Sequence, residues 1–220
     1  MTRSLVVGAS GGIGRALTQE LQKRGESVTG LSRSDDGFDL TDEQRVIDGL
    51  GRLDAPFDRI IVATGALSSS QNGPEKTLRS LDPSALAAQF ALNATGPALV
   101  LKHALRLMPR NRRSVFAALS ARVGSIGDNR LGGWYSYRAS KAALNQLVHT
   151  AAVEVARSHR QAICVALHPG TVATDFTANY RSHDAVSPEQ AAAHLIGVMD
   201  GLSAADTGGF FDWAGKPVAW

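Results

Sequence analysis

Short apolar runs alternate with amphipathic stretches along the chain. Leu5-Val6-Val7 reads as a buried strand that enters the glycine-rich turn Gly8-Ala9-Ser10-Gly11-Gly12-Ile13-Gly14. Ile13, Leu17 and Leu21 then recur at helical spacing, with Gly25 as the stop. Residues 27–31 form a second strand, residues 42–50 a helix with Thr41 as its N-cap, and residues 59–65 a third strand ending in glycine. After a polar loop at 68–73, Asp82-Pro83 opens a long helix in N-cap and N1 style. Pro97 lies inside that helix and has no N–H, so the carbonyl of Asn93 loses its helical partner and a kink is expected. Strands follow at 114–120, 161–167 and 209–213, with helices from Trp134 and from Ser187-Pro188-Glu189-Gln190 to about Met199. The loop 176–186, rich in polar and aromatic residues, reads as a lid. Strands alternating with helices predict an α/β chain whose parallel sheet is covered on both faces.

Composition narrows the class. In 220 residues, 44% hydrophobic content and 22 glycines fit one compact domain over 1–220, with no repeat or linker to divide it. The net charge is +3, and arginine supplies 18 of the 23 basic residues, which favours phosphate or carboxylate ligands. The densest basic run, from Arg106 to Arg113, has no interleaved aromatic and reads as a solvated helix end rather than a nucleic-acid surface. The single cysteine, Cys164, sits in the apolar run Ile163-Cys164-Val165-Ala166-Leu167 and reads as a buried small hydrophobe. The N-terminus becomes glycine-rich too soon for a signal peptide, and no apolar run approaches about 18 residues. A soluble cytoplasmic protein, with no membrane partner and no metal, is expected.

Two stretches carry chemistry. Tyr137 and Lys141 are four residues apart, roughly 40° apart on one face of a helix, with Asn145 a turn further on. An ammonium beside a phenol favours the phenolate, so the pair is expected to lower the tyrosine pKa and make it a general acid/base. A surface lysine lying over a tyrosine ring is the plainer alternative. The second stretch is the strand, glycine turn and helix at the N-terminus, the context of a dinucleotide fingerprint. Gly8 allows the tight turn, Gly12 the approach of a pyrophosphate and Gly14 close helix–strand packing. The spacing is G-x-x-x-G-x-G, not the commoner G-x-G-x-x-G. At the tip of the second strand stand Ser32-Arg33 with no adjacent acid. An arginine there can hold a 2′-phosphate, which favours NADP(H) over NAD(H), and a solvent-facing loop arginine is the plainer alternative.

In this order, these motifs resemble the short-chain dehydrogenase/reductase family over essentially the whole chain. The segments Gly124-Ser125-Ile126-Gly127-Asp128-Asn129 and Gly132-Gly133-Trp134-Tyr135, with the ending Phe210-Phe211-Asp212-Trp213, are similar to its C-factor-like and small carbonyl-reductase branch. The resemblance implies a single Rossmann-type doubly wound domain. It implies that Gly8, Ser10, Gly12, Ile13, Gly14, Arg33, Asp39, Leu40, Thr64, Gly65, Tyr137, Lys141, Pro169, Gly170 and Val172 hold the cofactor. It also implies a small-molecule carbonyl or alcohol partner, with Tyr137 as proton donor, Lys141 tuning it and Asn93 anchoring a proton-relay water. A homodimer is compatible with it, as is a cofactor-binding signalling protein without turnover. Two departures stand out. Val62-Ala63-Thr64-Gly65 replaces the family's Asn-Asn-Ala-Gly, and alanine occupies the expected serine position in Ala121-Arg122-Val123-Gly124. Ser120 is the favoured substitute, through a β-bulge at the strand end, and Ser125 the alternative.

Overall fold

The computed structural model describes the chain apart from Ala55 and residues 69–72 and 181–184, with residues 178–180 described by backbone alone. Most of the predicted polar loop and part of the predicted lid therefore lie outside the described residues. Six parallel strands form one sheet in the order β2-β1-β3-β4-β5-β6. They are β1 (Arg3–Val7), β2 (Ser27–Leu31), β3 (Arg59–Val62), β4 (Ser114–Leu119), β5 (Ala162–His168) and β6 (Phe210–Asp212). The helices are α1 (Gly12–Lys23), α2 (Arg33–Asp36), α3 (Glu43–Gly51), α4 (Pro83–Phe90), α5 (Gly96–Ala104), α6 (Tyr135–Val155) and α7 (Pro188–Gly201).

Period-two alternation sends neighbouring residues of a strand to opposite faces. Leu5, Ile60, Phe116 and Cys164 share one row of the register and one face, packed with side chains of α3, α5 and α6. Val6, Ile61, Ala117 and Val165 face the other way, onto α1 and α7. Cys164 is fully buried and burial pushes its thiol up to about 12, as expected of an inert core residue. Strand order reverses between β1 and β3, where a doubly wound sheet opens a crevice at the carboxyl ends of its strands.

Some elements differ from expectation. The N-cap of α3 is Asp42, which accepts from the backbone N–H of Gln44 and Arg45, while Thr41 turns back to Asp39. Pro97 causes no simple kink. Between α4 and α5 the chain makes a π-helical turn over Ala91–Thr95, in which the N–H of Gly96 reaches the carbonyl of Ala91. Pro83–Leu107 thus runs as one helical stretch of 25 residues, by length and composition apolar enough to cross a membrane, which the sequence reading did not foresee. Its Val100, Leu101, Ala104 and Leu107 lie in the core against the sheet. The caps at Asp82 and Ser187 form as expected, the latter as a full capping box with Gln190.

Candidate active site

The glycine turn after β1 is a cradle with no room for side chains. Gly8 has φ 87°, and a Cβ there would stand 2.8 Å from Thr64 Cγ2. A Cβ on Gly14 would stand 2.0 Å from the Gly8 carbonyl oxygen, so helix and strand touch through bare backbone. One on Gly12 would stand 2.6 Å from Thr174 Cγ2. No side chain caps the start of α1, and its first turn carries no acid. Its N–H groups and positive dipole end are therefore offered to an anion. Ser10 contributes its carbonyl, which accepts from Arg15. Ile13 packs against the core cluster on the α1 side. Two buried polar atoms without a protein partner, Thr64 Oγ1 and His168 Nδ1, lie just beyond β3 and at the end of β5. Burial, and secondarily Arg122, pushes His168 down to about 4, so its imidazole is neutral. A bare cradle, an uncapped helix end and orphaned polar atoms at the carboxyl edge fit a dinucleotide.

At the tip of β2, Arg33 is exposed at the start of α2. The strand tip nevertheless meets an acid, contrary to the sequence reading. Asp36 folds back so that its Oδ2 accepts from the Ser32 N–H at 2.8 Å, a contact made possible by the short α2. Asp39 accepts from the N–H and hydroxyl of Thr41, which hold its carboxyl below the usual range. Leu40 is buried against Gly96.

Helix α6 brings the reactive pair inside. Tyr137 and Lys141 are 6% and 3% exposed. Lys141 Nζ donates to the carbonyl of Leu119 at 2.7 Å and lies 5.9 Å from the Tyr137 ring centre. Burial governs both groups. It pushes the ammonium down to about 7 and holds the phenol above its usual range. The expected lowering of the tyrosine by a nearby charge is therefore not what these side chains produce. Desolvation outweighs it, and Tyr137 keeps its proton at neutral pH.

The loop after β3 joins pair and cradle. Thr64 abuts Gly8, and a Cβ on Gly65 would stand 3.1 Å from Asn93 Oδ1 and 3.5 Å from Lys141 Nζ. Asn93 is fully buried in the π turn and clamps this loop. Its Oδ1 accepts from Ala66 N, and its Nδ2 donates to Ala66 O, both at 2.9 Å. Nδ2 also reaches Gln89 Oε1 and, on α6, Ser140 Oγ.

The expected bulge at the end of β4 is not formed. The ladder to β5 is regular through Leu119, and Ser120 N continues it to Leu167 O. Regular pleating turns Ser120 toward α6, where its hydroxyl donates to Asn145 Oδ1 at 2.6 Å. Ser125 is buried and accepts from Asp128 N, closing the turn after Arg122–Gly124. Ala121 is half-buried and extended, with φ −145° and ψ 145°.

Beyond β5, Pro169 leads into Gly170, which has φ 80° and would press a Cβ to 3.1 Å from Trp213 Cδ1. Val172 is buried and pairs with Val186. Thr174, not anticipated as a site residue, closes onto Gly12. The turn His168-Pro169-Gly170-Thr171-Val172-Ala173-Thr174 held the only signal for it.

Comparison with known proteins agrees with this fold. A family model described as enoyl-(acyl carrier protein) reductase matches residues 8–202. The chain is 31% identical over 236 aligned positions to 1-hydroxy-2-glutathionyl-2-methyl-3-butene dehydrogenase of Rhodococcus sp. (strain AD45), covering 100% of both. It is 34% identical over 144 residues to the C-signal protein of Myxococcus xanthus, covering 65% of this chain and 83% of the relative. A solved short-chain dehydrogenase/reductase from Burkholderia multivorans with bound NADP superposes with TM-score 0.81 at 25% identity, covering 100% of this chain and 99% of the other. With a parallel doubly wound sheet, a glycine cradle and a Tyr-x-x-x-Lys helix, the chain belongs to the short-chain dehydrogenase/reductase family and is an oxidoreductase of it.

Proposed function

We propose that the protein is an NADP(H)-dependent reductase that converts an aldehyde or ketone to its alcohol. One observation carries the reading. A buried Tyr137 and Lys141 on one helix meet, through Thr64 and Gly65, a glycine cradle suited to a dinucleotide. When bound, the nicotinamide supplies the hydride. Tyr137 holds its proton at the phenolic oxygen and gives it to the carbonyl oxygen as charge develops there. Lys141, kept near neutrality by burial, takes part in replacing that proton and holds the cofactor ribose. Asn93 fixes the Gly65–Ala66 backbone beside it and, by the family resemblance, holds a relay water. The cradle Gly8, Gly12 and Gly14 takes the pyrophosphate, flanked by Ser10, Ile13, Thr64 and Gly65. Asp39 and Leu40 border the adenine, and Pro169, Gly170 and Val172 the nicotinamide. Following NADPH oxidation with a panel of aldehydes, ketones and quinones tests the reading, and consumption by none of them would sink it.

Preference for NADP(H) rests on Arg33 and is supported by the neighbour with bound NADP. Asp36 pulls the other way, as an acid at the strand tip suits a free 2′-hydroxyl. We expect the exposed arginine to prevail, by at least about 10-fold in affinity for NADPH over NADH, from a charge-assisted contact of about 1.5–3 kcal/mol. Arg33→Ala should raise the KM for NADPH and leave that for NADH unchanged. Equal affinities in the native protein would refute the assignment.

The serine role is tested by two substitutions. Ser120 was the sequence-based choice, and a donor role predicts a loss of about 10²–10³ in kcat for Ser120→Ala. Its hydroxyl is committed to Asn145, so the expected result is instead a stability loss of about 1–3 kcal/mol with little change in kcat. Ala121→Ser should raise kcat. A large fall in kcat for Ser120→Ala, without loss of Tm, would restore Ser120 as the donor.

A second reading has one specific support, the match to C-signal in a chain with alanine at the serine position. A signalling protein of that kind would bind NADPH and oxidise it with none of the panel.

A further inference from the structure

Tyr137 is set among aromatic rings. The indole of Trp134 lies edge-on to it, 6.3 Å between centroids at 66°, and Phe176 lies 6.0 Å away at 59°. The two neighbours come from different elements, Trp134 from the N-cap of α6 and Phe176 from the 3-10 helix Asp175–Tyr180 beyond β5.

Trp134 holds its place at a cost. Its φ of 53° makes it the one non-glycine residue in the left-handed region among the described residues, and it directly follows Gly132 and Gly133, at 64° and 65°. A third glycine would satisfy this backbone without strain. The turn is pinned from outside. The carbonyl of Glu75 accepts from Trp134 N at 2.5 Å, and its carboxylate takes the N–H and hydroxyl of Ser136. A strained residue held by its surroundings beside a reactive group is the usual sign of a functional demand on its side chain. Here the side chain lies edge-on to Tyr137, between the phenol and the strained turn. Phe176 adds an open apolar surface, 39% exposed next to a phenol that is 6% exposed.

We propose that Trp134 and Phe176 frame Tyr137 as a selector for planar, conjugated carbonyls, aryl aldehydes and ketones, over alkyl ones, an inference that rests on the reductase reading above. A flat ring makes edge and face contacts with such a frame and has few rotors to immobilise. An alkyl chain makes weaker contacts and loses more rotational freedom on binding.

The test has two parts. In the first, kcat/KM with NADPH is compared for benzaldehyde and cyclohexanecarbaldehyde. The native protein should favour the aryl substrate by about 10-fold or more, and Trp134→Gly and Phe176→Ala should each bring the ratio toward one. Trp134→Gly relieves the backbone but gives up a half-buried indole, so Tm is measured for both variants, and a preference lost at native-like Tm is not a folding defect. The second part needs no turnover. Calorimetric titration of the NADP⁺-loaded protein should show benzamide binding about 10-fold tighter than cyclohexanecarboxamide, with the difference lost in both variants. Equal affinities, no binding of either amide, or a ratio that survives both substitutions would overturn the selector. Failure to oxidise NADPH with any carbonyl would instead overturn the reductase reading, with the titration still judging the frame.

Discussion

Tyr137→Phe is expected to lower turnover by about 10²–10⁴-fold while leaving cofactor affinity nearly unchanged. The change deletes one hydroxyl from a ring that is already buried. Phenylalanine fills the same space against Trp134 and Phe176, so packing, fold and cradle persist. What disappears is the transferable proton, which burial keeps on the phenol at neutral pH. Steady-state NADPH oxidation checks the first half of the expectation, and cofactor titration by fluorescence checks the second. Retention of most of the activity would remove Tyr137 from the mechanism. Lys141→Ala should be comparably inactive for a different reason and should also weaken cofactor binding, because that side chain stands beside Gly65.

Among the described glycines, Gly14→Ala should be the most damaging added methyl group. Its Cβ would meet the Gly8 carbonyl oxygen at 2.0 Å, the Gly8 carbonyl carbon at 2.8 Å and Ala9 Cα at 3.2 Å. All three are backbone atoms, so no side chain can rotate away, and α1 must lift off the turn. Overpacking of this kind costs about 1–3 kcal/mol, occasionally more. The N-terminus of α1 would shift with it, so NADPH affinity should fall by at least about 10-fold, a loss of about 1.4 kcal/mol. Gly25→Ala is the control. There φ is 80° but nothing lies within 4 Å, so only the backbone preference is lost, about 1–2 kcal/mol, with cofactor affinity intact. Thermal melts and cofactor titrations of the two variants separate these effects, and a Gly14→Ala protein with native affinity would contradict the cradle.

The features legible in the sequence were those set by local chemistry. The apolar run Leu5-Val6-Val7, the stop at Gly25, and the caps at Asp82 and Ser187 depend on residues a few positions apart. So does the shared helical face of Tyr137 and Lys141. What escaped depends on neighbours distant in the chain or on burial. Desolvation reverses the expected shift of Tyr137, and no spacing rule contains it. Ser120 finds Asn145 across the strand–helix interface, which a reading confined to β4 does not see. Thr174 meets Gly12 only because β5 ends and α1 begins at the same edge of the sheet. The four-residue α2 is too short for a periodicity signal, yet it turns Asp36 onto the strand tip. At Thr41-Asp42 two adjacent side chains can each cap α3, and the competing Asp39 decides between them.

The π turn at Ala91–Thr95 holds one residue more than an α-helix of the same rise would. Each residue of an α-helix turns it by roughly 100°, so deleting one from the regular turns on either side would rotate one flank against the other by about that angle, whereas deleting one inside the π turn would close it to an α-helical turn. Today α4 packs on α6 while α5 packs on α3. A flank turned in this way would carry Asn93 off the Ala66 backbone although Asn93 itself had not been altered. A length change of a single residue there acts as a rotation, whereas a substitution acts only where it falls. This helix should therefore accept replacements at its outward positions and reject indels outside the π turn.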